Sequence, residues 1–304
     1  MNDLDYELLV CIAEELNFTR ASERLFLTQS ALAYRLAQIE NEFGVPIVDR
    51  TARKIRMTPE GEYLVTYARQ MIAQMRLTKD HVVNMRAMVG GMLRIGVSSY
   101  IGLHTLPRVL RTFQDRYPGV RMNVHTGFSD EVYGYLLSNL VHLCVVRGEF
   151  PWEEERRLLE QGNICVIAKS KIEIEDLPKL PLIAYNTTIT ASRQRRYGIP
   201  FGETVERWWR SNFSQPPNVI MYLDSYETCK EMVRYGMGYS IVPGYFVSDS
   251  DQLYALPLVD EDGQLLKRNT WLLLRSTSLE YPVVEQFICL LESAFKPDAD
   301  RTDG

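Results

Sequence analysis

The stretch TQSALAYRLAQ (28–38) carries uncharged hydrogen-bonding side chains at helical spacing. Ser30, Tyr34, Ala37, Gln38 and Asn41 fall opposite Leu32, Leu36, Ile39 and Phe43 on a helical wheel. Solvated helix faces usually carry Lys and Glu in i,i+4 pairs. This face instead carries small neutral groups, which can enter a DNA major groove and meet base edges without a charge to desolvate. The plainer alternative is a helical hairpin whose outer face is merely uncharged. The next stretch, VPIVDRTARKIRMTPEGE, places Arg50, Arg53, Lys54 and Arg56 within seven residues. Between residues 19 and 58 seven bases stand against four acids, in a chain whose net charge is −5. A short basic hairpin directly after a helix-turn-helix is a winged-helix pattern, with cations for phosphates and a helix for bases.

A second set of reactive groups sits where predicted strands end. Ser98, Ser99 and Tyr100 follow the strand 92–97. Gly127, Phe128 and Ser129 follow the strand 120–126, and Arg147 closes the run VHLCVVR. Thr187, Thr188, Thr190 and Arg193 follow LIAY, and Ser225, Glu227 and Thr228 open another helix. In α/β sheets ligands bind beyond the carboxyl ends of strands, where helix N-termini present free N–H groups. Hydroxyls and N–H groups favour an anion, and a guanidinium adds a planar charge suited to a carboxylate. Each Ser or Thr can equally be a helix cap, and Arg147 can equally pair with Glu149.

Catalytic patterns are missing. The four histidines form no HExxH or metal-spaced cluster, and the sequence has neither GxSxG nor a P-loop. A nucleophile–base pair of Ser98 or Ser99 with His104 or His125 has no supporting spacing. The five scattered cysteines read as buried thiols of a reducing cytosol, not as a metal site or a disulfide framework. No run approaches the ~20 apolar residues of a membrane span. The acidic N-terminus MNDLDYELL lacks the basic start of a signal peptide, so a cytoplasmic location is expected.

The elements that carry these groups follow from periodicity. Leu4, Leu8, Ile12 and Leu16 predict a first helix. Thr19 is the expected cap of a second helix and Thr28 of a third, with Gly44 as its stop. Thr58-Pro59 then opens a long helix in which Leu64, Ala68, Met71, Met75, Thr78, Val82, Met85 and Val89 hold a 3.5-residue period, as in a coiled-coil seam. Its alternative is packing on its own chain. Gly90-Gly91 makes a joint. From residue 92, strands and helices alternate. Strands are expected at 92–97, 120–126, up to Arg147, 164–168, 182–185, 219–223, 240–242 and 271–274. Helices are expected inward through Leu106, Leu110 and Phe113, and at 200–212, 225–235 and 281–295. The alternation predicts a parallel α/β sheet with right-handed crossovers.

The run FTRASERLFLTQSALAYRLAQIENEFGVPIVDRTARKIRMTPEGE resembles the N-terminal domain of LysR-type transcriptional regulators. Ala33 stands where many members have Ser, and Val48 where Phe is usual. The order of elements beyond residue 92 resembles the effector domain of the same family, built like a small periplasmic binding protein. The resemblance implies an α+β chain of two domains. A winged helix-turn-helix (1–58) and a linker helix that pairs protomers (59–90) precede an α/β effector domain (91–296) and a disordered tail (297–304). The effector domain has two subdomains, 92–163 with 270–296, and 164–269. The DNA-contacting set is then Thr28, Gln29, Ser30, Ala33, Tyr34, Arg35 and Gln38 on the third helix, with Arg50, Arg53, Lys54 and Arg56 on the wing. The effector set is Ser98, Ser99, Tyr100, Phe128, Ser129, Arg147, Thr188, Thr190 and Thr228. The stretches VRGEF, WW (208–209), QPP (215–217) and YETCKEMVRYGMGYSIVP resemble the citrate-responsive catabolite control protein C branch. That likeness implies a di- or tricarboxylate effector, citrate first. The expected partners are a double-stranded DNA operator, the carboxylate, and a second copy in a homodimer or homotetramer. No cofactor, metal or membrane is expected. The competing reading is a cytoplasmic solute-binding protein or enzyme of the same fold.

Overall fold

The computed structural model describes residues 1–49, 55–84, 91–185 and 197–296. The chain divides into two compact units, residues 1–92 with 137–141, and residues 93–136 with 142–304.

The first unit is a three-helix head followed by a small hairpin and a long helix. Helix α1 (Asp3–Glu15) opens on a capping box, in which Asn2 and Asp5 each accept the other's backbone N–H. Helix α2 (Phe18–Arg24) is capped by Asn17, whose side chain accepts from the N–H groups of Thr19 and Arg20. The expected cap, Thr19, is the second residue of the helix, because Asn is the stronger N-cap and precedes it. Helix α3 (Gln29–Phe43) is capped by Thr28 and stopped by Gly44 in the left-handed region, as its sequence predicts. Leu32, Leu36 and Ile39 enter a core with Leu8, Leu9, Ile12, Ala21 and Ile47. Phe43 shares their face but sits in the last turn of the helix, and stays exposed.

Strands β1 (Val48–Asp49) and β2 (Arg56–Met57) pair antiparallel and form the base of the hairpin. Helix α4 (Pro59–Asn84) starts on Thr58, whose Oγ1 accepts the Gly61 N–H at 3.0 Å. The periodic seam of α4 divides in two. Leu64 and Ala68 are buried in the head's own core, whereas Met75 and Val82 are 42% and 53% exposed. Met85 and Val89 lie outside the described residues.

The second unit is built on a mixed sheet. Its strands are β3 (Gly91–Ser98), β4 (Val120–Gly127), β5 (Leu143–Arg147), β6 (Glu155–Ala168), β9 (Ser240–Pro243), β10 (Tyr254–Pro257) and β11 (Lys267–Leu274). The spatial order is β10-β6-β11-β5-β3-β4, with β9 also on β6. Strands β7 (Leu182–Tyr185) and β8 (Val219–Leu223) form a parallel pair. Helices α5 (Ser99–His104), α6 (Leu106–Arg116), α7 (Ser129–Leu137), α8 (Phe201–Asn212), α9 (Tyr226–Arg234) and α10 (Pro282–Phe295) complete the unit.

The all-parallel expectation is corrected. β3 and β5 are parallel, but β11 runs antiparallel to both β5 and β6. No helical crossover leads into β6 or β11; each arrives through a loop, so antiparallel pairing is open to it. β6 is a single strand of 14 residues, of which the apolar run 164–168 is the last third. It pairs with β11 through Asn163 and with β9 and β10 beyond it. Cys11, Cys144, Cys165 and Cys229 are buried thiols, but Cys289 on α10 is exposed. Among the described residues no helix is long and apolar enough to cross a membrane.

Candidate recognition helix and effector cavity

The α3 face is open. Thr28, Gln29, Ser30, Ala33, Tyr34 and Gln38 are all exposed, Tyr34 by 66%. Their polar atoms are arranged by one another. Gln38 Nε2 donates to the Tyr34 hydroxyl at 3.0 Å, Gln29 Nε2 donates to Thr19 Oγ1 at 2.9 Å, and Thr28 and Ser30 hydroxyls lie 3.1 Å apart. Arg35 differs from its neighbours. Its Nη1 lies 2.9 Å from Asp5 Oδ1 in a half-buried ion pair, which ties α3 to α1. The structure therefore gives Arg35 a packing role within the head. Arg56 is exposed on β2, and Arg50, Arg53 and Lys54 lie outside the described residues.

In the second unit, the carboxyl ends of β3, β4 and β5 open on a cavity of about 350 Å³. Ser98, Ser99, Tyr100, Phe128, Ser129 and Arg147 line it together. Ser225 and Glu227 do too, but Thr228 does not. Ser225 is the cap of α9, and Thr228, three residues inside, gives its N–H to the Ser225 hydroxyl at 3.3 Å. Thr187, Thr188, Thr190 and Arg193 lie outside the described residues.

Arg147 organises the cavity. It is 4% exposed, and its Cζ lies 4.5 Å from the centroid of the Tyr100 ring and 3.3 Å from that of Tyr245. Cation–π contact at a buried site holds the guanidinium by its faces and leaves its N–H edge to hydrogen-bonding partners. The Tyr100 hydroxyl donates to the Tyr245 carbonyl oxygen and so fixes that ring. The Ser129 hydroxyl accepts the backbone N–H of Arg147 at 3.0 Å.

The acid beside Arg147 is Glu160, 3.4 Å from Nη2, and not Glu149. Glu149 instead accepts from Trp271 Nε1, Arg156 and Asn269. Partial burial works against its charge, but these three donors hold its carboxyl below the usual carboxylate range. Nε and Nη1 of Arg147, Nε of Arg268 and the Ser98 hydroxyl are buried without a hydrogen-bond partner among the described residues.

Several lining residues are absent from the sequence-based set. Arg268, one residue into β11, donates from Nη2 to the Arg147 carbonyl at 3.4 Å and faces the Phe201 ring at 5.2 Å. Gly148, at φ +107°, turns the chain off β5 in a backbone conformation that residues with a side chain rarely adopt. Tyr185 and Tyr226 stack at 3.8 Å between centroids, and burial pushes the Tyr226 hydroxyl well above its ordinary pKa. The one signal for Arg268 was its place in LKRNT, immediately before a strand. A larger hollow of about 820 Å³ lies against α8, and Tyr185 and Phe201 line both. Its acids and its arginine, Glu203, Glu206 and Arg210, are exposed and paired along α8, so it offers no buried charge among the described residues. The smaller cavity holds the chemistry.

A winged helix-turn-helix head in one unit and a ligand-sized polar cavity in an α/β unit define a two-part ligand-responsive DNA-binding protein. Residues 4–62 match the model of the bacterial regulatory helix-turn-helix proteins of the lysR family, and residues 86–296 match the LysR substrate binding domain. The chain belongs to the LysR family. It is similar to the uncharacterized HTH-type transcriptional regulator YraN of Bacillus subtilis (strain 168), at 38% identity over 96% of this chain and 98% of that one. It is also similar to the uncharacterized HTH-type transcriptional regulator YkuM of the same strain, at 30% identity over 95% and 96%. The crystal structure of CbnR, a LysR family transcriptional regulator, has the same fold, with a TM-score of 0.66 at 17% identity over 98% of this chain and 100% of that one. The protein is a LysR-type DNA-binding transcriptional regulator with an effector-binding domain, and not an enzyme.

Proposed function

We propose that this regulator answers to a small di- or tricarboxylate, citrate first, held in the cavity by Arg147 and Arg268. The observation that carries the reading is the set of buried guanidinium N–H groups left without partners at Arg147 and Arg268. An unsatisfied buried donor on a charged group is costly, and a carboxylate is the partner whose geometry fits a guanidinium edge. The Ser98 hydroxyl adds a further donor. Arg147 and Arg268 together suit a ligand with more than one carboxylate, in a cavity that Asp130, Asp224 and Glu227 also line.

The remaining assignments follow this reading. Residues 1–58 form the DNA-reading head, with Thr28, Gln29, Ser30, Ala33, Tyr34 and Gln38 at the bases and Arg50, Arg53, Lys54 and Arg56 on phosphates. Helix 59–90 pairs two copies, and residues 91–296, in the two subdomains 92–163 with 270–296 and 164–269, bind the effector. A chain whose partner is operator DNA works in the cytoplasm.

Titration calorimetry with citrate and shorter diacids tests the effector. Arg147→Ala should weaken binding by about 2 kcal/mol or more, the scale of a charge-assisted hydrogen bond. Arg147→Lys should recover little, because a point charge does not replace a planar fork. Operator binding without effector should survive both substitutions. Wild-type protein that binds none of these acids would refute the carboxylate assignment.

A further inference from the structure

Arg147 is not wholly free to meet a ligand. Glu160 Oε2 lies 3.4 Å from its Nη2 and accepts the Thr270 hydroxyl at 3.2 Å. Thr270 is fully buried and stands opposite Glu160 in the β6–β11 ladder, so the carboxylate is held where it is by the sheet. The contact to Arg147 is long for a charge-assisted bond, which runs ~2.7–2.9 Å when well made. It uses one nitrogen and leaves Nε and Nη1 unpaired. The acids that line the cavity are Asp130, Asp224 and Glu227, none of them in an ion pair with Arg147 among the described residues. Asp130 accepts the N–H groups of Tyr197 and Gly198, and Glu227 accepts the Ser225 hydroxyl. Glu160 is the acid within ion-pair distance of Arg147, and so the one that offsets its charge most directly.

We infer that Glu160 is an internal counter-ion that sets how tightly the cavity holds an anion and how strongly it favours higher ligand charge. The inference rests on the carboxylate reading of the cavity. Without a ligand, Glu160 offsets part of the charge of Arg147. When a ligand carboxylate meets the free edge, it sits near a second negative charge, and each further carboxylate adds to that repulsion. Glu160 thus keeps binding weak enough to be reversible over a range of metabolite levels. Its role is to tune Arg147, since Glu160 itself does not line the cavity.

The test is calorimetry on the full-length protein with citrate, succinate and propionate. Glu160→Gln keeps the shape and an acceptor for Thr270 but removes the charge. It should tighten citrate by about tenfold or more, the scale of one Coulombic pair at this range in a partly shielded site, and propionate by clearly less. Glu160→Asp, which keeps the charge but draws it back, should fall between, and serves if the Gln variant fails to fold. A role in packing alone would weaken all three acids alike. If wild type binds citrate, Arg147→Ala loses it, and Glu160→Gln gains nothing or gains equally for propionate, the counter-ion inference is wrong and the carboxylate reading stands. If neither wild type nor Glu160→Gln binds any of the three, both fall.

Discussion

Phe26 is the least comfortable side chain of the head. It lies at φ +55° and is 96% exposed, in the turn between α2 and α3. The Leu27 N–H reaches back to the Ser22 carbonyl at 2.9 Å, which makes this a Schellman-type stop with Phe26 at the position that favours Gly or Asn. The left-handed backbone costs a residue with a Cβ about 1–2 kcal/mol, and an exposed ring recovers none of that by packing. Phe26→Asn should therefore raise stability by about 1 kcal/mol in urea unfolding. A loss would mean that the ring makes a contact in the folded state. The side chains that line the cavity are unequally legible in the sequence. Ser98 and Arg147 are legible because each closes an apolar strand, and Ser129 because it opens the helix that follows a strand. Arg268 is not, because LKRNT looks like a solvated charge run until β6 is paired beside it. Thr228 was misjudged because a hydroxyl at a helix start reads alike whether it is the cap or lies a turn inside.

Helix α3 shows what periodicity can and cannot deliver at the scale of an element. Its apolar period fixed the buried side, and Thr28 and Gly44 fixed its ends. The partner of Arg35 came from another helix, through Asp5 on α1, and no local pattern encodes that. The strands divide in the same way. The last third of β6 is an apolar run and reads directly. The rest, ERRLLEQGN, mixes charged and partly buried residues and reads as a loop until β11 lies beside it. The open face of α3 makes a definite prediction. Tyr34→Ala and Gln38→Ala should each lower affinity for the cognate operator by ~1–3 kcal/mol while leaving non-specific binding nearly intact. Because the two side chains share a hydrogen bond, the double variant should lose less than the separate losses added. Arg56→Ala should weaken specific and non-specific binding together and reduce the salt slope by about one. Titrations at two salt concentrations decide it. Parallel losses in all variants would remove α3 as the reader.

At the scale of the whole molecule, the proposed pairing of two copies turns on α4. Its 3.5-residue seam is consistent with a helix partner or with packing on its own chain, and in the single chain its first part is buried and its later part exposed. Leu64 and Ala68 are used by the head's own core, so they are not available to a second copy. Met75, Thr78 and Val82 are exposed along the same stripe, two of them large and apolar. Apolar side chains repeated at seam spacing are left facing water in a single chain and are covered when two such helices pair. A two-fold pair would also match two recognition helices to two half-sites. Met75→Lys combined with Val82→Lys should therefore convert the protein, at tens of micromolar, to a species sedimenting as one 35.2 kDa chain. Leu64→Lys should act differently, unfolding the head instead of separating intact copies, because its side chain is buried within one chain. The separated chains should keep their affinity for a single half-site and lose the gain from a second. A Lys double variant that still sediments as a dimer would move the interface off α4.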